Sequence, residues 1–197
     1  MKGYLVTLLG IACSMAAAQY DPPIRLRGTV ESVAWPSLII KERDGKVTAL
    51  TLPDDLGIAE VIPSDITAIQ PGSYVGTAAL PRGDGTLVSL EVVVFPEAAR
   101  GAGEGHFPWD LQPESTMTNA TVVDLARSSD GRTLTLRYKD GEKKVAVPDG
   151  VPVVTLRAGD RALVVPGAHV FIVAESNDDR LIVKRFLVGR KGLRPPM

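Results

Sequence analysis

Asp65-Ile66-Thr67-Ala68-Ile69-Gln70-Pro71-Gly72 and Asp160-Arg161-Ala162-Leu163-Val164-Val165-Pro166-Gly167 are one phrase written twice, 95 residues apart. Each opens on an aspartate whose side chain can accept the free backbone N–H groups of a short helical turn. Each stops at Pro-Gly, which ends such a turn. Working outward, Thr29-Val30 matches Thr121-Val122, Asp44-Gly45 matches Asp140-Gly141, and Leu87-Val88 matches Leu181-Ile182. The drift in spacing is what unequal loops produce. The chain is therefore two copies of one supersecondary unit.

Both copies have the same order of elements. A strand opens each, over residues 24–33 and 118–126. A hairpin follows around Asp44-Gly45 or Asp140-Gly141, because Asp-Gly between β-rich runs marks a tight turn. A short extended piece comes next, at 58–62 or 153–156, then the Asp-opened turn, then two closing strands at 74–80 and 87–95 or 169–175 and 181–188. Five to six short strands with one helical turn describe a small closed barrel of the oligonucleotide-binding (OB) type. The expected fold class is all-β: two tandem small OB-like β-barrels joined by an ordered linker. The expected organisation is a signal peptide at 1–18, barrel repeat 1 at 19–95, a Gly/Pro-rich linker strap at 96–116, barrel repeat 2 at 117–189 and a mobile basic tail at 190–197.

Composition agrees with a folded chain. Of 197 residues, 45% are hydrophobic and 23% charged, ordinary values for a globular protein. Lys2, an apolar run from Tyr4 to Met15 and the small residues Ala16-Ala17-Ala18 form a secretory signal peptide, with cleavage expected after Ala18. Cys13 is the single cysteine and lies inside that segment; Gly10 stands where a lipidation signal wants leucine. The expected mature chain therefore has no thiol or disulfide chemistry. No later stretch is apolar enough to cross a bilayer as a helix. Residues 19–116 carry 7 basic and 14 acidic residues, and 117–197 carry 14 and 9. Such halves attract each other, or the basic one faces an anionic partner.

The linker carries chemistry that a flexible tether would not. Phe107, Trp109 and Leu111 are placed to anchor a strap across both barrels, and Trp109 alternatively to stack on a ligand ring. Glu104, His106 and Asp110 could offer two carboxylates and an imidazole to a divalent metal. His169 occupies the repeat position of Tyr74, which suits a half-buried amphipathic site, and Trp35 before Pro36 suits packing at a hairpin corner. Asn119-Ala120-Thr121 has the form of a glycosylation sequon inside a strand.

The linker string from Gly101-Ala102-Gly103-Glu104-Gly105-His106-Phe107-Pro108-Trp109-Asp110-Leu111 to Ser115-Thr116-Met117-Thr118-Asn119-Ala120 resembles the signature of a subgroup of exported bacterial proteins. That family has OB-like barrels and no assigned function. The resemblance covers essentially the whole mature chain and implies a periplasmic location. Relatives are sometimes labelled metal-transporter permeases, a label that does not suit a chain without spanning segments. No catalytic residues carry over.

Three functions remain. The first is a non-catalytic periplasmic binding or interaction module, taking an envelope protein, a glycan or a small anion. The second is a metal-binding accessory protein using Glu104, His106 and Asp110, with the divalent metal as the one cofactor considered. The third, an enzyme, finds no Ser-His-Asp order, paired carboxylates or phosphate loop to support it. Nucleic acid is not expected as a partner, since aromatics are sparse at 5% and the mature chain is acidic.

Overall fold

β-branched residues alternating with polar ones dictate strands throughout, and the computed structural model, which describes residues 22–128 and 131–197, is nearly all β. The expected signal peptide and Cys13 lie outside the described residues. Among the described residues, helical structure is confined to short 3-10 turns. Two of these turns are the repeated phrase. The Asp65 carboxylate accepts from the Thr67 backbone N–H at 2.7 Å, and Asp160 accepts from that of Ala162 at 2.8 Å.

The strands are β1 (Ile24–Ala34), β2 (Ser37–Glu42), β3 (Val47–Thr51), β4 (Ile58–Pro63), β5 (Tyr74–Pro81), β6 (Leu87–Val94), β7 (Gly105–Pro108), β8 (Thr116–Ser128), β9 (Gly131–Tyr138), β10 (Gly141–Pro148), β11 (Val153–Ala158), β12 (His169–Asn177) and β13 (Arg180–Gly189). Gly45 takes the positive φ of 94° that the first hairpin needs. In the second copy the hairpin differs: Gly141 is already in β10, paired with Tyr138.

Pairing overturns the expectation that each copy closes its own barrel. One ring runs β1-β2-β3-β13-β12 and back to β1; the other runs β8-β9-β10-β6-β5 and back to β8. We call them barrels A and B. Each takes three strands from one sequence copy and two from the other. Each keeps the OB-type order, in which the third and fifth strands close the ring in parallel. That closure is Val145 with Leu87 and Ala146 with Val88 in barrel B, and Ile182 with Thr51 in barrel A. Barrel B is therefore continuous in sequence, from β5 to β10, and sits as an insertion between the third and fourth strands of barrel A.

The crossing strands make this exchange. β4 and β11 pair antiparallel between the barrels, and each also runs parallel to a closing strand, β13 and β6 respectively. Val61 faces Leu156. Position 61 plus the 95-residue offset is 156, so this pair maps onto itself and marks a pseudo-two-fold axis. Because the copies are alike, closing within a copy and closing between copies satisfy the same side chains. The repeat alone does not distinguish them.

Three apolar clusters follow. Leu26, Val30, Leu38, Ile40, Ile172 and Phe186 fill barrel A. Val75, Val92, Val122, Leu134, Leu136 and Val145 fill barrel B. Val61, Val93, Val154, Phe171, Leu187 and Met197 seal the seam between them. Every residue of the barrel B cluster lies between Ile66 and Val153. A chain of residues 64–154 is accordingly expected to fold alone, with a single cooperative denaturant transition. Circular dichroism and size-exclusion chromatography check this; a non-cooperative transition would mean that barrel A holds barrel B together.

Two buried carboxylates break the apolar pattern. Glu60 on β4 is 2% exposed and is held by the guanidinium of Arg157, its cross-strand neighbour, with Arg190 at 3.6 Å. Glu91 on β6 is wholly buried. One of its oxygens accepts from the Ala78 N–H at 3.0 Å; the other has no protein partner among the described residues. Burial pushes the Glu91 pKa up to about 8, opposed by the Ala78 hydrogen bond and the charge of Arg27. The unfolded chain would ionise this group near its ordinary value of 4.5. The fold binds the extra proton, so this contribution is complete below about pH 4.5 and is lost as pH rises through about 8. A tenfold change in proton affinity is worth about 1.4 kcal/mol, so the loss is several kcal/mol. Glu91→Gln is expected to remove it, making the variant increasingly more stable than wild type from pH 5 to pH 8 in denaturant unfolding. A constant difference across that range would refute the assignment.

Candidate functional site

The strap contains a strand that sequence periodicity did not reveal, because four residues are too few to show alternation. β7 pairs along β8, from Gly105 opposite Asn119 to Pro108 opposite Thr116. The Trp109 N–H donates to the Ser115 carbonyl at 2.8 Å and closes the return loop. Asn119, the sequon residue, is buried beneath the strap and donates from Nδ2 to the Gly103 carbonyl at 2.9 Å. The Tyr74 hydroxyl reaches the Ala102 carbonyl at 3.3 Å. One outer face of barrel B is thus covered by the chain itself.

Trp109 reaches from the strap to barrel A. Its ring lies 6.1 Å from that of Phe171 and 6.1 Å, edge on, from Phe107. The guanidinium of Arg25 sits over it at 4.2 Å, a cation–π contact. The proposed metal donors go separate ways. Glu104 accepts from the Lys139 backbone N–H at 2.9 Å. His106 Nδ1 lies 2.9 Å from the Thr118 hydroxyl, and its ring stacks on Tyr138 at 6.3 Å. Asp110 pairs with Arg27 at 2.7 Å. The structure does not bring Glu104, His106 and Asp110 together. Among the described residues no group of three or more His, Cys, Asp or Glu side chains is placed to hold a metal.

The same face of barrel A is built differently. Thr29 stands between Lys41 on β2 and His169 on β12, as Thr121 stands between Arg137 and Tyr74 in barrel B. Gly28 lets the strands close here, since a Cβ would sit 2.4 Å from the Lys41 carbonyl oxygen. No strand corresponding to β7 lies beside Ile24–Arg27 among the described residues. The C-terminal segment crosses instead. Arg27 Nε donates to the Met197 carbonyl at 2.8 Å and Arg43 Nη2 to the Pro195 carbonyl at 3.1 Å, while Pro195 and Met197 are buried. The basic tail is therefore docked, correcting the expectation of a mobile end: its proline and methionine cover apolar surface and its carbonyls satisfy two arginines.

Between tail and strands a cleft of about 270 Å³ remains, lined by Thr29, Lys41, Glu42, Arg43, His169 and Arg194 among others. Arg194 and Lys41 make no ion pair or side-chain hydrogen bond with the described residues. Glu42 is already engaged by the Thr48 hydroxyl and by Lys46 at 3.5 Å. Burial, then the charges of Arg27 and Arg194, lower the Arg43 pKa. Burial, then Arg194 and Arg43, lower that of His169. His169 Nδ1 meets the Thr29 hydroxyl at 3.0 Å. The site is cationic and uncompensated. A smaller cleft of about 180 Å³ on barrel B holds Asp65, Asp149 and Arg132, a mixed set with more acidic than basic groups.

Sequence reasoning did not select Lys41, Arg43 or Arg194 as site residues. A signal was present: Arg25-x-Arg27 and Lys41-x-Arg43 put cations on one face of two adjacent strands. No family model, curated protein or solved structure matches the chain.

Trp109 joins the strap to barrel A through packing and cation–π contacts with Arg25 and Arg27. Trp109→Ala is expected to cost about 3 kcal/mol of stability, the lower end for a large aromatic because the ring is half-buried. Denaturant unfolding of the two proteins checks this; a change within about 0.5 kcal/mol would make the ring dispensable to the fold.

Proposed function

We propose that the chain is a non-catalytic binding module of the periplasm, and that its ligand occupies the cleft left on the outer face of barrel A. The observation that carries this reading is the inequality of two otherwise equivalent faces. Barrel B has its face paired with β7 and capped by the strap. On barrel A the C-terminal segment crosses the matching face but leaves a concave, polar cleft between itself and the strands. Concave sites with a few convergent polar groups are where ligands bind. The export signal expected at 1–18 supports the compartment.

The test is site-specific photo-crosslinking in cells. A photoreactive residue replaces Lys41 in one strain and its barrel B counterpart Arg137 in another, and adducts are read by mass spectrometry. Adducts at position 41 and none at 137 are the expected result. Equal labelling, or none at 41, would remove barrel A as the binding face.

A further inference from the structure

We infer that the cleft between the C-terminal segment and the β1–β2–β12 face of barrel A is a binding site for a phosphate-type oxyanion, held by Lys41, Arg43, Arg194 and His169. This rests on the proposed binding face and names its ligand. Four observations carry it.

The cations converge on one concavity and have too few counter-charges. Lys41 and Arg194 lack an acidic partner among the described residues, while the one lining carboxylate, Glu42, is held by Thr48 and Lys46. Like charges gathered at one place repel each other, and an anion placed among them relieves that repulsion. The cations are also positioned from the backbone. Arg43 is anchored by its Nη2 on the Pro195 carbonyl, which leaves further guanidinium donors for a ligand. Arginine presents these donors in a planar fork that matches phosphate oxygens.

His169 adds a neutral donor. His169 Nδ1 lies 3.0 Å from the Thr29 hydroxyl, and in the tautomer in which Nδ1 accepts from that hydroxyl, Nε2 carries the proton and can donate to an anion. Finally, the size suits the ligand. About 270 Å³ is below the usual range of drug-sized pockets and fits a single charged group or a small phosphorylated molecule. In barrel B the equivalent of His169 is Tyr74, covered by the strap, so the site exists once.

The experiment uses the mature protein at constant ionic strength. Isothermal titration with inorganic pyrophosphate is paired with sedimentation against vesicles of phosphatidylglycerol, which present a phosphodiester oxyanion on a lipid. Saturable binding with a dissociation constant below about 1 mM in either arm is expected, and the arm that binds identifies the source. Arg194→Ala and Lys41→Ala should each weaken it at least fivefold or so, the effect of losing a charge-assisted contact. Neither change should move the melting temperature by more than about 2 °C, since both side chains are unpaired. Arg137→Ala, on barrel B, should leave binding unchanged.

Sulfate keeps its charge between pH 7.5 and pH 5, so it reports on the protein alone. Its affinity should rise as pH falls and His169 gains a proton among Lys41, Arg43, Arg194 and the carboxylate of Glu42, and His169→Gln should abolish that slope. Absence of binding in both arms, or binding equally weakened by Arg137→Ala, would overturn the inference. Position-specific crosslinking at Lys41 would then still stand, separating a wrong ligand from a wrong face.

Discussion

The antiparallel pair of β4 and β11 is the contact on which the rest of the molecule depends. These strands carry the chain from one barrel to the other, and their pairing puts Val61 opposite Leu156 on the pseudo-two-fold axis. Once they are in place, β5 and β6 must close the ring begun by β8, and β12 and β13 must close the ring begun by β1. The crossing also explains a buried charge. Glu60 lies on β4 with Arg157 opposite it on β11 and Arg190 just after β13. A buried carboxylate that stays ionised is tolerated only when paired. Here the pairing joins three segments that meet only because of the exchange.

Symmetry ends at the segments that follow each closing strand. After β6 the chain is long enough to return as β7, pair with β8 and cover barrel B. After β13 the chain takes another course, and residues 190–197 dock through main-chain oxygens on Arg27 and Arg43. Two copies with the same core thus acquire different outer faces. The difference is electrostatic as well as steric, because the exchange brings Lys41 and Arg43, from the acid-rich half, beside His169 and Arg194, from the basic half.

Much of the fold was legible in the sequence. The repeat, the strand order and the two aspartate-capped turns follow from local patterns, which depend on neighbouring residues only. Which copy supplies the closing strands depends on pairing at a distance, and two similar copies present the same apolar faces to either partner. The site was less legible. Trp109 stood out because a large aromatic in a Gly/Pro-rich stretch is unusual. The metal reading of Glu104, His106 and Asp110 assumed that closeness in sequence means convergence, whereas a four-residue strand and its return loop send the side chains to Lys139, Thr118 and Arg27. Arg194 looked like part of a solvated tail, since nothing local announces that Pro195 and Met197 will be buried.

The insertion of barrel B within barrel A sets an order of arrival. Synthesis delivers the N-terminal strands first, yet β1 and β3 find their partners only when β12 and β13 emerge, well over a hundred residues later. Barrel B can assemble in the meantime from neighbouring strands, at a low cost in loop closure. For that interval β1, β2 and β3 are a three-stranded sheet with both edges unpaired, the state in which a chain is most open to pairing with the wrong neighbour. A protein built this way completes its first barrel last, and the step that completes it also locks β1 beside β12 and β3 beside β13 in the same wall.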